Sequence, residues 1–170
     1  PKVCTELKKR NKSERAGARQ LQIDSLHSAL VSDLATLCQL AVDLTRVDGK
    51  DIAEIKQKNT FYKRLLDSDE YRRSMLIADA WCASFTVLKD LSSSALTEAV
   101  FRQLQHDPQT VHQNVVSAVR REKELYNFFH WHLAFPTVFA KENSEANSAT
   151  GWTGGFDVVL GNPPWEKLTI

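Results

Sequence analysis

The stretch that decides the fold lies near the end of the chain and reads Phe156-Asp157-Val158-Val159-Leu160-Gly161-Asn162-Pro163-Pro164-Trp165. Its apolar run, 156–160, has the length and β-branched content of a buried strand, and Gly161 ends it. Two consecutive prolines fix φ and lack N–H donors, so the chain should leave the sheet there as a stiff, extended loop. Such a loop presents the Asn162 amide and one indole face at the carboxyl edge of a strand, where open α/β sheets bind ligands.

The sequence before this stretch is predicted to be helical. Apolar residues recur at three- and four-residue steps from Leu21 to Gly49, and again from Asp51 onward. The Asp67-Ser68-Asp69 turn offers caps for a helix over 70–90, whose predicted buried face carries Ile77, Trp81, Phe85 and Leu88. Two further helices are predicted, one through Leu96, Val100 and Leu104, and one over about 109–127 opened by Asp107-Pro108.

The chain divides into three parts. Residues 1–20 are a polar, basic start, 21–127 a helical module, and 128–170 contain an aromatic block, a polar loop and the predicted strand with its Asn-Pro-Pro-Trp motif. Pro136 should break any helix within the aromatic block. One strand cannot form a sheet by itself, because its N–H and C=O groups need neighbouring strands. Together with the absence of Met before Pro1, this leads us to expect a fragment of a longer protein.

Bulk composition is that of an ordinary globular chain, with 42% apolar and 25% charged residues among 170. A formal net charge of +1 gives no overall field that would attract nucleic acid. Cys4, Cys38 and Cys82 are far apart and in no metal-ligand spacing, so reduced thiols, mostly in the core, are expected. No signal peptide or spanning run is visible. These features predict a cytoplasmic protein that binds no membrane.

The sequence around Asn-Pro-Pro-Trp resembles a known family motif. It is similar to the N/D-P-P-Y/F/W motif of S-adenosylmethionine-dependent amino-group methyltransferases. Gly154-Gly155 through Lys167 looks most like the adenine-N6 DNA methyltransferases of type IIG-like restriction–modification proteins. Ala78-Asp79-Ala80-Trp81-Cys82-Ala83-Ser84-Phe85 and the block 128–139 resemble that group less specifically. The resemblance implies a mainly α helical insertion or bundle that ends in one strand of an incomplete Rossmann-like methyltransferase sheet.

The resemblance also implies a reaction and a site. The parent protein would transfer a methyl group from S-adenosylmethionine to adenine N6 in double-stranded DNA, within a restriction–modification or phage-defence system. The catalytic residues would be Asn162, Pro163, Pro164 and Trp165. The Asn162 side-chain oxygen and the Pro163 carbonyl would accept hydrogen bonds from the adenine amino group, which favours the cationic character of its transition state. Pro164 would help to fix the loop, and Trp165 would stack on a base flipped from the duplex.

The cofactor-binding turn of such enzymes is missing from the sequence. They hold S-adenosylmethionine at a strand followed by an acidic-x-x-x-Gly-x-Gly turn, and none of the six glycines here lies in that context. We therefore expect the main cofactor motif outside this chain, no metal site, and an inactive isolated fragment. The remainder of the methyltransferase domain would be its partner. Two alternatives stay open: methylation of another amino group (RNA guanine N2 or protein glutamine), or a non-catalytic helical interaction module.

Several other features have competing interpretations. The basic start is either a phosphate-contacting arm or a solvated helix start. Asp79 is either a buried hydrogen-bonding acid or a residue that faces a cleft. His130 and His132 lack further ligands nearby and are predicted to be structural rather than a zinc site. The aromatic block is either a base-stacking platform or, as favoured here, a core seam between helices and sheet. The mixed-sign run 120–124 is predicted to be a solvated face.

Overall fold

The computed structural model of the protein describes residues 2–18, 23–88, 95–140, 145, 147 and 152–161. These ranges contain eight α-helices and no β-strand, so the mainly α prediction is confirmed for this part of the chain. A single 3-10 turn, Pro108–Thr110, lies between the fifth and sixth helices. The helices are α1 (Lys2–Ala18), α2 (Ile23–Thr45), α3 (Ile52–Asp67), α4 (Asp69–Thr86), α5 (Glu98–His106), α6 (Gln113–Tyr126), α7 (Trp131–Ala134) and α8 (Pro136–Phe139).

Side-chain caps determine where the central helices begin. The Asp51 carboxylate accepts a hydrogen bond from the Glu54 amide at 2.7 Å and starts α3. Ser68 ends α3 and starts α4, where its hydroxyl accepts from the Tyr71 amide at 3.2 Å. Each bond satisfies an amide that the first helical turn leaves without an intrahelical partner. The predicted starts at Asp51 and at the Asp67-Ser68-Asp69 turn are confirmed.

Both predicted proline boundaries mark helix starts, but one helix is shorter than expected. Asp107 caps the Gln109 amide at 3.0 Å, and Pro108 occupies the first position of the 3-10 turn. The chain is extended again at Val111, so α6 begins only at Gln113 and the prediction of a helix from 109 is wrong by one turn. Pro136 begins α8 directly after α7, which confirms the break predicted there.

The core is built on both sides of α4. On one side α4 packs against α5 and α6, and on the other against α2, α3 and α7. The first core contains Ile77, Ala80, Ala83, Val87, Leu104, Val111, Val115, Val116, Ala118 and Val119. The second contains Leu37, Leu65 and Leu133, with Tyr71, Met75 and Ala78 of α4 packed against them. The helix over 69–86 is therefore the element to which most of the others are fixed.

The predicted face of α4 is correct at Ile77, which is buried, but wrong at the three residues that follow it on that face. Trp81, Phe85 and Leu88 are 57%, 72% and 77% exposed, whereas Ala80 and Ala83 are fully buried. Small side chains let a neighbouring helix approach the α4 backbone closely, so the dense helix–helix contact selects the alanine face. The buried face of α4 therefore shares Ile77 with the predicted face and continues through Ala80 and Ala83 instead of Trp81 and Phe85.

The strand predicted at 156–160 does not form within the described residues. Val158, Val159 and Leu160 are 70%, 76% and 91% exposed, and their backbone forms no ladder. A strand is stable only when a neighbour pairs with its N–H and C=O groups, and no described segment lies in position to do so. The Rossmann-like part of the fold prediction is thus not shown by this structure.

Within the described ranges, none of the helices combines the length and the apolar character needed to cross a membrane.

Candidate functional site

The four predicted catalytic residues, Asn162, Pro163, Pro164 and Trp165, lie outside the described residues, and their predicted roles stay predictions. The structure does describe the segment that leads to them, 152–161. How that segment is attached to the helices determines how the motif can be positioned.

Residues 152–156 are attached to α7 and α8 by aromatic contacts. Trp152 stacks on His132, with ring centroids 5.1 Å apart, and meets Phe139 edge-on at 4.9 Å. Phe156 lies edge-on to Phe139 and Trp131, at 5.4 and 5.6 Å. Edge-to-face and offset-stacked pairs of this kind are the favoured geometries for aromatic rings.

Backbone hydrogen bonds strengthen this attachment. The amides of Thr153 and Gly154 both donate to the carbonyl of Phe139, at 3.1 and 3.2 Å. These bonds also satisfy a carbonyl that the end of α8 leaves free. Phe139, whose side chain is buried, therefore contacts the entry into the predicted strand through both its ring and its backbone carbonyl.

The aromatic block forms a cluster with an open side. Phe129, Trp131 and Phe135 are 60%, 54% and 41% exposed, and Phe156 completes the same cluster at 40%. The adjoining Val158, Val159 and Leu160 add further exposed apolar surface. Neighbouring apolar side chains exposed on this scale are typical of an interface. We refer to this set, Phe129, Trp131, Phe135, Phe156, Val158, Val159 and Leu160, as the aromatic face.

Asp79 lies at the centre of a buried polar cluster that includes His130, which is between Phe129 and Trp131 in the chain. Its carboxylate is 2.8 Å from His130 Nε2 and 3.0 Å from Lys123 Nζ. Asp79 and His130 are almost fully buried, while 41% of the Lys123 side chain is exposed. The cluster connects α4, α6 and the residue immediately before α7. Both interpretations offered for Asp79 hold, because the carboxylate is buried and also lines a cleft.

Lys123 is a partner of Asp79 that the sequence pattern did not predict. It lies within the mixed-sign run 120–124, which was predicted to be a solvated face. That prediction is wrong for Glu122, which is 5% exposed and accepts a hydrogen bond from Arg121 at 3.2 Å. The available signal was the helical spacing, since Glu122 follows Val115, Ala118 and Val119 at three- and four-residue steps.

His132 is distinct from His130 in its environment. Its pKa is lowered to about 4, mainly because burial disfavours the charged imidazolium and secondarily because His130 is nearby. The imidazole is therefore neutral at physiological pH, which suits its stacking on Trp152. The prediction that the two histidines are structural agrees with these contacts. Among the described residues no group of three His, Cys, Asp or Glu side chains is arranged to hold a metal ion.

A cleft of about 1210 Å³ opens beside the Asp79 cluster. Leu66, Tyr71, Met75 and Leu76 supply its apolar lining, and the polar residues are Asp69, Arg72, Arg73, Asp79, His106, Asp107, Gln109, Arg120 and Lys123. Most of these charges are already paired: Arg73 with Asp33 at 2.8 Å, Arg72 with Asp67, and Lys123 with Asp79. The near balance of charge gives the cleft no strong preference for an anion.

Gly49, Gly155 and Gly161 can be compared with the glycines of a nucleotide-binding turn. A nucleotide-binding turn needs glycine because a Cβ would collide with the ligand or the packed backbone. A Cβ added at Gly155 or Gly161 would enter open space, and Gly49, with φ +80°, belongs to the connection between α2 and α3. Neither Gly155 nor Gly161 lies in a described turn between a strand and a helix, which is the context of such a binding turn.

Comparison with known protein families identifies the class of protein to which this helical scaffold and terminal motif belong. Residues 50–169 match the sequence model of a restriction–modification methyltransferase family, which covers α3 to α8, the aromatic face and the Asn-Pro-Pro-Trp motif. The chain belongs to the Eco57I restriction-modification methylase family. Neither the search of well-characterised proteins nor the search of solved structures gave a significant match.

Proposed function

We propose that this chain is the motif-bearing part of a methyltransferase that modifies adenine N6 in duplex DNA. The observation that carries the proposal is the position of Asn162-Pro163-Pro164-Trp165 inside the segment that matches the restriction–modification methylases. Adenine N6 is a poor nucleophile because its lone pair is delocalised into the ring. Two fixed acceptors, the Asn162 side-chain oxygen and the Pro163 carbonyl, would favour the reactive form of the amine. S-adenosylmethionine would supply the methyl group when bound by other segments of the protein.

The aromatic face supports a specific arrangement of the complete enzyme. In this proposal, 156–160 becomes a strand when segments from the remainder of the methyltransferase domain pair with it. Its mostly apolar sequence with two β-branched valines favours that state, and Val158, Val159 and Leu160 offer exposed apolar surface that such a sheet would cover. Phe129, Trp131 and Phe135 would then pack against the same sheet and form the core seam that was predicted between helices and sheet.

The helical part would position the motif. Asp79 and His130 hold the turn before α7, α7 and α8 hold Trp152 and Phe156, and these residues lead into the predicted strand. The Asp79–His130 contact in this connection is buried, and Phe139 provides a buried ring for both Trp152 and Phe156. In this proposal the helical module, 21–127, holds the methyltransferase segment, 128–170, at Asp79, and α7 and α8 within that segment hold the approach to the motif.

The test is a methyl-transfer assay on the protein that contains this chain and the cofactor-binding segments. Labelled S-adenosylmethionine and unmethylated duplex DNA are supplied to wild type, Asn162→Ala and Asn162→Asp. We expect wild type to label adenine N6. Asn162→Ala should lower the rate of methyl transfer at least about a hundredfold, a range typical of removing one transition-state hydrogen-bond partner. Asn162→Asp should retain part of the rate because a carboxylate also accepts hydrogen bonds.

Each other result has a definite meaning. Label on RNA or on a protein side chain would keep the methyltransferase motif and refute the DNA substrate. Full activity in Asn162→Ala, with unchanged folding, would refute the assigned site. Label on no acceptor at all would favour the helical interaction module.

A further inference from the structure

Helix α1 is fixed to the rest of the chain by one face. Val3, Leu7, Asn11 and Glu14 recur at helical spacing and are all partly buried. The Asn11 side-chain oxygen accepts a hydrogen bond from the Glu98 amide at 3.1 Å, and the Glu14 carboxylate accepts one from the Ala99 amide at 2.8 Å. Two side chains of α1 thereby cap the first turn of α5. The rotation of α1 about its own axis is set by these bonds.

The opposite face of α1 concentrates positive charge. The helix carries six cationic side chains and two carboxylates, a surplus of four positive charges, while the whole 170-residue chain has a net charge of only +1. Arg10 and Arg15 are paired with Glu14 and Glu98. The remaining cations, Lys2, Lys8, Lys9 and Lys12, are exposed and have no ion-pair partner among the described residues.

The length of this lysine face matches a nucleic-acid strand. From Lys2 to Lys12 the helix rises about 15 Å at about 1.5 Å per residue. One strand of duplex DNA carries a phosphate about every 3.4 Å along the axis, so about four phosphates occupy the same length. A lysine ammonium group acts as a point charge and lacks the planar, bidentate donor geometry of an arginine guanidinium. Such groups suit phosphate contacts, which carry no sequence information. The cleft beside Asp79, by contrast, has its charges largely paired.

We propose that the lysine face of α1, formed by Lys2, Lys8, Lys9 and Lys12, binds the phosphate backbone of duplex DNA. The inference rests on the proposed function for the identity of the polyanion, and it assigns α1 a sequence-independent role in affinity. Target selection and methyl transfer belong to other parts of the protein. The basic start of the chain is then a phosphate-contacting helix rather than a solvated helix start.

Salt dependence of DNA binding tests this proposal directly. The same protein is prepared as Lys8→Glu/Lys12→Glu, which lie one turn apart on the exposed face, in a background of Asn162→Ala. Affinity for duplex DNA is measured by fluorescence anisotropy between roughly 50 and 200 mM salt. Each lost phosphate contact should reduce the slope of log K against log salt by about 0.9. We expect a slope reduced by nearly 2 and an affinity reduced about tenfold or more at the low-salt end.

Two matched variants separate phosphate contact from altered net charge and from altered folding. Lys56→Glu/Lys63→Glu makes the same charge change at exposed positions of α3 and should leave the slope unchanged. Lys8→Arg/Lys12→Arg should bind like wild type, because phosphate accepts from either cation. A slope for Lys8→Glu/Lys12→Glu equal to that of wild type would overturn the proposal, and so would an equal loss in the α3 control.

The outcome is independent of the methyl-transfer result. Because binding is scored in an Asn162→Ala background, loss of catalysis does not affect it. If methyl transfer to adenine N6 is found but Lys8→Glu/Lys12→Glu leaves the salt slope unchanged, only the role of α1 is refuted. Strong binding of an acidic protein partner, with no affinity for DNA in any variant, would refute DNA as the ligand.

Discussion

Replacement of Asp79 by alanine should destabilise the protein more than any exposed carboxylate can. The change removes the only described partner of the buried His130 Nε2, which is 2.8 Å from the carboxylate. A buried polar group left without a partner costs about 1–3 kcal/mol. Lys123 also loses its partner, but 41% of its side chain is exposed, so hydration limits that loss to at most about 1 kcal/mol. We expect about 2–3 kcal/mol less free energy of unfolding in total.

Chemical denaturation measures this loss, and a matched pair provides the control. Asp67 is paired with Arg72 at 3.1 Å, a distance like that of the Asp79 pairs, but both side chains are largely exposed. Asp67→Ala should cost at most about 0.5 kcal/mol because solvent screens such a pair. The difference should also appear as a melting temperature lower by about 5–10 °C for Asp79→Ala. If the two variants agree within about 0.5 kcal/mol, a margin set by the scatter of surface substitutions, the Asp79 cluster has no structural importance.

The remaining predictions concern the core, a helix cap, a histidine and the cofactor. Leu104→Ala should cost about 2–5 kcal/mol of unfolding free energy, because Leu104 is fully buried, whereas Leu125→Ala, 66% exposed, should be nearly neutral by the same denaturation assay. Glu14→Ala should cost about 1 kcal/mol through loss of the cap on α5. Burial raises the pKa of Glu14, but the hydrogen bonds from the Ala99 amide and Arg10 outweigh burial and leave that pKa lowered. The stability that the Glu14 carboxylate contributes should therefore be lost as the pH falls and the carboxylate is protonated. The folded pKa of His132 is about 4 and the ordinary value is 6.5, so the unfolded chain binds more protons between those pH values, and stability should fall as the pH drops from 6.5 towards 4. His132→Phe keeps a ring against Trp152 and should reduce this loss of stability when unfolding curves are compared at pH 7 and pH 5. If wild type and His132→Phe lose the same stability between the two pH values, the assignment to His132 is wrong. Calorimetry should find no binding of S-adenosylmethionine to the isolated 170 residues, and micromolar affinity would contradict the expected location of the cofactor motif elsewhere.

The sequence by itself determined the helices α2 to α6, several of their boundaries and the methylase family. Local chemistry explains this success: Asp51, Ser68 and Pro136 act on the backbone next to them, whatever the rest of the chain does. The resemblance to restriction–modification methylases likewise depends on short runs of neighbouring residues, and residues 50–169 match that family.

Only the tertiary structure decided which surfaces are buried and which charges meet. The two faces of α4 are both apolar in part, and the choice of Ala80 and Ala83 over Trp81 and Phe85 depends on how closely α5 and α6 approach. Asp79 and His130 are 51 positions apart in sequence, so nothing local relates them. The segment 156–160 has the sequence of a strand and yet remains exposed here, because strand formation requires hydrogen-bonding neighbours and a run of residues cannot supply them for itself.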